Sequence, residues 1–290
     1  MKKIAFRFYN ILAKSLSERG IERIIPFKPL ENIIVNLLKS DFVEIDGQKM
    51  HLDKKDSLRL SIKKTHEPFE TALFNKEVRP GDIVLDIGAH IGYFTLRFAK
   101  KVGNTGKVFA FEPDPESFAI LKKNVELNGY KNVILVNKAV SDRNARLKLY
   151  LSEYSTSDNR LYESEDTRNS VEVDTIRMDD YFTNKQQKVD FIKMDIQGSE
   201  ANALRGMPDI LKNNKLKLST EFWPIGLKQC GSDAEEYLNV LVSYGFKLYK
   251  IDKENKIDLL NIPEILTTYT LKKGNFTTIY CVKKTARPSV

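Results

Sequence analysis

At 290 residues the chain suits one large domain, or one domain with an extension, and 41% hydrophobic with 30% charged residues excludes a disordered or fibrous protein. The net charge is +8, but residues 1–40 alone hold eight basic side chains (Lys2, Lys3, Arg7, Lys14, Arg19, Arg23, Lys28, Lys39) against three acidic ones (Glu18, Glu22, Glu31). The remainder is therefore close to balanced, unlike the basic stripe of a nucleic-acid enzyme, and no nucleic-acid partner is expected. Cys230 and Cys281 are far apart and His51, His66 and His90 lack ligand spacing, which excludes a disulfide framework and a metal site and fits the cytoplasm.

In chain order, Met1–Arg7 opens like a leader, but Arg7 and Lys14 break the apolar run, so none is expected. No stretch approaches the ~20 apolar residues of a membrane-spanning helix. Ile4, Phe8, Ile11, Leu12 and Leu16 share one helical face, and Leu30, Ile33, Ile34, Leu37 and Leu38 form a second amphipathic segment after Pro29. Two readings stand for residues 1–40: a peripheral contact with the inner face of an anionic membrane, or helices capping the main domain, which is preferred. Asp41–Ile45 and Lys49–Leu52 flank Asp46-Gly47, a hairpin signal.

From residue 80 strands and helices alternate: strand Ile83–Ile87, helix Ile91–Lys101, strand Lys107–Phe111, helix Pro115–Asn128, strand Val133–Asn137. Then come strand Asp190–Met194, helix Ser199–Lys212, strand Leu216–Glu221 and helix Asp233–Ser243, with Phe246–Ile251 and Thr277–Val282 as an antiparallel pair. Such alternation predicts a mostly parallel sheet with helices on both faces. The polar stretch Ser152–Ser170 reads as a surface loop or lid, and Lys283–Val290 as a frayed tail. The expected division is an N-terminal helical and hairpin extension over 1–64, the main domain over 65–285, and a tail over 286–290.

The richest segment runs from Val84 to Phe94, where a strand enters a glycine turn and then a helix. Gly88 frees the backbone to turn beside a ligand, and Gly92 lets the helix sit close to the sheet. Glu112 follows Gly92 by twenty residues, at the end of the next strand, where an acid suits the two hydroxyls of a ribose. The middle glycine of a dinucleotide turn is absent, and Asp86 precedes the turn, suiting a cationic amino group better than a phosphate. The pattern favours S-adenosylmethionine as cofactor.

The blocks Asp86–Phe94, Phe109–Pro115, Asn137–Ser141 and Asp190–Glu200 resemble the FkbM family of S-adenosylmethionine-dependent methyltransferases, over roughly residues 65–252. The resemblance implies a Rossmann-like class I methyltransferase fold, with a seven-stranded sheet whose last strand is antiparallel. It also implies O-methylation of a sugar hydroxyl or natural-product scaffold, so the expected partner is a small-molecule or glycan acceptor. Cofactor-binding residues are then expected at Asp86, Gly88, His90, Gly92, Glu112, Pro113, Ala139 and Gln197, with Ala139 and Val140 at the adenine edge. The family usually has Asn where this chain has His90, and Glu where it has Gln197.

Asp195 ends the central strand, where doubly wound sheets place ligands, and is the first candidate for general base. Glu221, before Phe222-Trp223-Pro224, is the second; Phe222 and Trp223 read as a sugar-stacking platform or as core. Gln197 can hold a ligand by hydrogen bonds but cannot take the proton. His90 reads as a neutral ring bonded to backbone or cofactor, with catalysis as the alternative. Glu200 suits a first helical turn, as do Glu67 and Glu70, which could instead close over the methionine end. The competing functions are an RNA methyltransferase, an NAD-linked oxidoreductase and an inactive cofactor-binding module.

Overall fold

The computed structural model describes residues 41–63, 65–164, 166–183, 188–213, 215–251 and 257–283. The amphipathic segments expected within residues 1–40 lie outside the described residues. Thirteen described strands are β1 (Phe42–Ile45), β2 (Gln48–His51), β3 (Ile83–Ile87), β4 (Lys107–Phe111), β5 (Val133–Val136), β6 (Ala139–Val140), β7 (Arg146–Leu151), β8 (Asn169–Ile176), β9 (Phe191–Met194), β10 (Lys217–Phe222), β11 (Phe246–Ile251), β12 (Ile257–Leu259) and β13 (Thr277–Lys283).

The main sheet has the order β12-β11-β13-β10-β9-β3-β4-β5. Strands β10, β9, β3, β4 and β5 run parallel, while β13 inserts antiparallel between β10 and β11. This is the seven-stranded sheet the resemblance implies, with its last strand antiparallel, and β12 adds a short eighth strand at the edge. The central strands read as almost unbroken apolar runs because they are covered on both faces. Alternate residues serve two cores: Leu85, Ile87, Phe109, Phe111, Ile192 and Met194 on one side, and Val84, Val108, Ala110 and Phe191 on the other.

The second core is completed by the hairpin. Val43, Ile45, Met50 and Leu52 pack into it, and Asp46 and Gly47 take positive φ angles of 53° and 77° at the turn. The Gln48 amide donates to Leu96 O and Tyr130 Oη, both at 2.7 Å. Asn124 accepts from the His51 N–H at 2.7 Å and donates to His51 O at 3.0 Å. The hairpin is thus stitched to two helices, α2 (Tyr93–Val102) and α3 (Pro115–Leu127).

Three expectations need correction. The helix expected over Ser199–Lys212 breaks into α4 (Glu200–Arg205) and a single turn at Pro208–Leu211, because Pro208 lacks the N–H and the room to continue a helix. Strands β7 and β8 pair antiparallel, and β6 joins β8 to make a separate three-stranded sheet; β8 begins inside the stretch read as a loop. Lys283 is not part of a frayed tail: its buried ammonium donates to Leu211 O at 2.7 Å and to Tyr244 O, closing β13 onto the body.

Candidate active site

Parallel strands deliver their ends to one edge of the sheet, and there a cavity of about 420 Å³ opens. Its walls include Gly88 and His90 after β3, Glu112 and Pro113 after β4, Ala139 of β6, Asp195 and Gln197 after β9, and Glu221 of β10. Eight of the ten residues expected at the site are therefore brought together. The other two stand behind the wall. Asp86 is fully buried, with Oδ2 accepting from Thr95 Oγ1 at 2.5 Å, and Gly92 packs against Leu121 of α3.

The turn is built by close approach of three strand ends. Gly88 has φ +79°, and a Cβ there would lie 2.0 Å from Asp195 O, so only glycine lets β3 and β9 meet. The N–H groups of Gly88 and Ala89 both donate to Phe111 O at 3.0 Å. The next N–H, of His90, donates to Glu112 Oε2 at 2.8 Å, and Asp114 N donates to Glu112 Oε1 at 2.9 Å. Each carboxylate oxygen of Glu112 keeps a lone pair for a ligand. Burial pushes Glu112 up to about 7 even though both backbone donors favour its ionised form.

His90 has its ring Nε2 2.7 Å from Thr156 Oγ1, and burial pulls its pKa down to about 4, so the ring is neutral. Thr156 belongs to a short helical turn, Thr156–Asp158, within the expected loop or lid, and residues Thr156–Leu161 cover one side of the cavity. Arg168 pairs with Asp158 at 2.8 Å, fixing this strap. Arg160 lies over the Trp223 ring at 4.8 Å. Trp223 faces the cavity, whereas Phe222 is fully buried in the core; the two rings expected to act alike have different roles.

At the opposite end lies a charged cluster. Gln197 Nε2 donates to Asp195 Oδ1 at 2.8 Å and to Glu221 Oε2 at 3.3 Å, joining the two base candidates. Burial drives Glu221 well above its usual value, and Asp195, Glu200 and Glu67 add to the shift. The Lys193 ammonium donates to Gly88 O at 3.1 Å and stands 3.8 Å from Asp195 Oδ2 and 4.0 Å from Asp86 Oδ1. Burial opposes its charge, but Asp195, Asp86 and Glu67 hold its pKa above the usual value. The sequence signal for Lys193 is a lysine between Ile192 and Met194 in an apolar strand, two residues before Asp195.

A second cavity of about 470 Å³ adjoins the first and shares Glu67, Lys193, Asp195, Glu221 and Phe276 with it. Glu67 caps α1 (Pro68–Glu77) at φ +44° and pairs with His66 Nε2 at 3.2 Å. Glu70 lines the second cavity, its pKa raised by burial and by Glu67. Glu200 does not line either cavity: it is fully buried and accepts from Ile196 N at 2.9 Å, holding the loop that carries Gln197. Among the described residues no group of three or more His, Cys, Asp or Glu could hold a metal ion.

The profile of the family described as "Methyltransferase FkbM domain" matches residues 86–248, more than half of the chain. The chain is 26% identical over 146 residues to Methyltransferase 1 of Beauveria bassiana, covering 43% of this chain and 58% of that one. It is 29% identical over 160 residues to 2-O-methyltransferase NoeI of Sinorhizobium fredii, covering 50% and 64%. It is also 29% identical over 164 residues to 31-O-demethyl-FK506 methyltransferase FkbM of Streptomyces tacrolimicus, covering 46% and 62%. The matches thus span about three fifths of each relative's own length.

Proposed function

The chain belongs to the FkbM methyltransferase family, and from that premise we propose that it transfers a methyl group from S-adenosylmethionine to a hydroxyl of a small-molecule or glycan acceptor. The carrying observation is that one cavity is lined by Gly88, Glu112, Ala139, Asp195 and Glu221 together. One relative that matches this chain is named a 2-O-methyltransferase and another a 31-O-demethyl-FK506 methyltransferase, which supports the choice of a hydroxyl.

The residues present fit this cofactor. Glu112 offers two free lone pairs for vicinal ribose hydroxyls, and Pro113, Ala139, Val140 and Leu149 form an apolar wall suited to a purine. The turn N–H groups that a pyrophosphate would need are already used by Phe111 O and Glu112, which argues against a dinucleotide. S-adenosylmethionine, when bound, supplies a methyl group already activated on a positively charged sulfur.

The protein then has to align the acceptor oxygen, exclude water and remove one proton. Asp195 and Glu221 stand on the wall common to both cavities, so the acceptor is assigned to the second cavity and its hydroxyl to this pair. The acceptor's hydroxyl proton would pass to the Asp195 carboxylate, with Glu221 as its partner across the Gln197 amide. The Lys193 ammonium stands 3.8 Å from the Asp195 carboxylate that receives the proton. Phe276, shared by the two cavities, offers an aromatic face against which a ring-shaped acceptor can lie, while Trp223, braced by Arg160, closes the first cavity.

The test is a screen of hydroxyl acceptors with methyl-labelled cofactor, followed by Asp195→Asn on the best acceptor. Loss of the general base should lower the single-turnover rate by ~10²–10⁴ at saturating cofactor. A rate within about threefold of the parent would remove Asp195 from this role.

A further inference from the structure

Gln197 occupies a position the catalytic reading leaves idle, since an amide cannot accept the proton. Its backbone lies at φ +54°, and its side chain spans the two carboxylates at the junction of the cavities, 2.8 Å from Asp195 and 3.3 Å from Glu221. Two carboxylates sharing one donor sit close enough to repel each other, and an uncharged donor between them favours their ionised forms. A glutamate at this position would instead bring a third negative charge to the same spot.

We propose that Gln197 is a positioning residue whose amide ties Asp195 to Glu221 and thereby sets how strongly the cavity prefers a sulfonium ligand to the neutral thioether left after methyl transfer. The inference rests on the S-adenosylmethionine reading above. The two ligands, S-adenosylmethionine and S-adenosylhomocysteine, share adenine, ribose and amino-acid ends. They differ by one methyl and by one unit of positive charge on sulfur. Glu112 and the apolar wall treat them alike, so the carboxylate pair is the part of the cavity able to tell them apart by charge.

The charge of the pair depends on every ionisable group that faces it. Lys193 approaches from β9, on the same chain segment as Asp195. Glu67 with its partner His66 comes from the start of α1, and Glu70 follows one turn later on the second cavity's wall. Glu200 lies behind the loop, Asp86 lies behind Lys193, Arg160 comes from the strap, and Lys250 lines the second cavity. Glu221 is held well above its usual value, first by burial and then by Asp195, Glu200 and Glu67, so ionising it beside Asp195 is costly. Gln197 supplies the neutral donor that offsets part of this cost.

The experiment is titration calorimetry of both ligands between about pH 6 and 9, on the parent protein, Gln197→Glu and Gln197→Leu. In the parent, the ratio of sulfonium to thioether affinity rises with pH as Glu221, held above its usual value, ionises. In Gln197→Leu the rise moves about one pH unit to the alkaline side, the scale of one lost hydrogen bond to a carboxylate. In Gln197→Glu it moves further, and thioether affinity in both variants stays within about threefold of the parent. Ratio curves that superimpose on the parent's, or an equal loss of both ligands at every pH, overturn the proposal and leave Gln197 a merely structural residue. If Gln197→Leu fails to fold, the near-isosteric Gln197→Glu decides alone. If the parent binds neither ligand, the cofactor reading itself fails; if it binds both and the curves coincide, only this inference fails.

Discussion

The His90 backbone N–H donates to the Glu112 carboxylate at 2.8 Å, so the turn after β3 and the acid after β4 form one unit. The unit also reaches the strap, because the His90 ring bonds Thr156, and Thr156 N donates to Ser57 Oγ at 2.9 Å. Glu112, at the carboxyl edge of the sheet where such folds place their ligands, is held here through backbone donors, not through long side chains.

Burial sets the pH response of this unit. His90 titrates at its usual 6.5 when unfolded and at about 4 when folded, so the unfolded chain binds more protons between these values. Its contribution is complete above 6.5 and is lost as pH falls toward 4. His90→Asn removes that titration, and asparagine tolerates the φ of +49°. Between about pH 7 and 5 the variant should lose less stability than the parent, by on the order of 2 kcal/mol. Chemical denaturation at the two pH values checks this; equal losses would mean that His90 is not buried neutral.

Glu112 acts in the opposite sense. Its pKa rises from the usual 4.5 to about 7 on folding, so the folded chain binds more protons between these values and stability falls as pH rises through them. Glu112→Gln should flatten this alkaline loss in the same denaturation series. A slope identical to the parent's between about pH 5 and 7 would contradict the assignment.

Gly88→Ala places a Cβ 2.0 Å from Asp195 O at a φ of +79°. The left-handed backbone and the backbone clash together should cost about 2–5 kcal/mol. Thermal unfolding reads this, and a melting temperature unchanged from the parent would show that β3 and β9 can separate freely.

Lys193→Met leaves Asp86 and Asp195 without their shared cation. Removing one partner of a buried charge group should destabilise by about 3–5 kcal/mol near pH 8. Burial already holds the Asp86 carboxyl above its usual value, so its protonation relieves the loss and the penalty should shrink toward pH 5. A penalty independent of pH would assign Lys193 a packing role only.

Much of this arrangement is legible in the sequence because β3, β4 and β9 are mostly apolar runs followed directly by Gly88, Glu112 and Asp195. A buried parallel strand has little freedom in where its last residue emerges. What escapes is set by contacts between distant segments. Asp86 sits one pleat too early to reach the cavity and turns to Thr95 instead. Lys193 is read as part of a strand, not as a charge, and Arg160 meets Trp223 only through a strap with no periodic pattern. Strands β7 and β8 do alternate, Arg146-Leu147-Lys148-Leu149 and Val171-Glu172-Val173-Asp174, but the polar stretch between them hides the pairing.

The most direct test of the account is titration calorimetry of S-adenosylmethionine and NAD against the parent protein and Glu112→Ala. The account predicts that the parent binds S-adenosylmethionine and not NAD. It also predicts that Glu112→Ala, still folded, weakens S-adenosylmethionine by ~1.5–3 kcal/mol, the scale of lost charged hydrogen bonds to the ribose. A parent protein that binds NAD and ignores S-adenosylmethionine, or a folded Glu112→Ala of unchanged affinity, would contradict it.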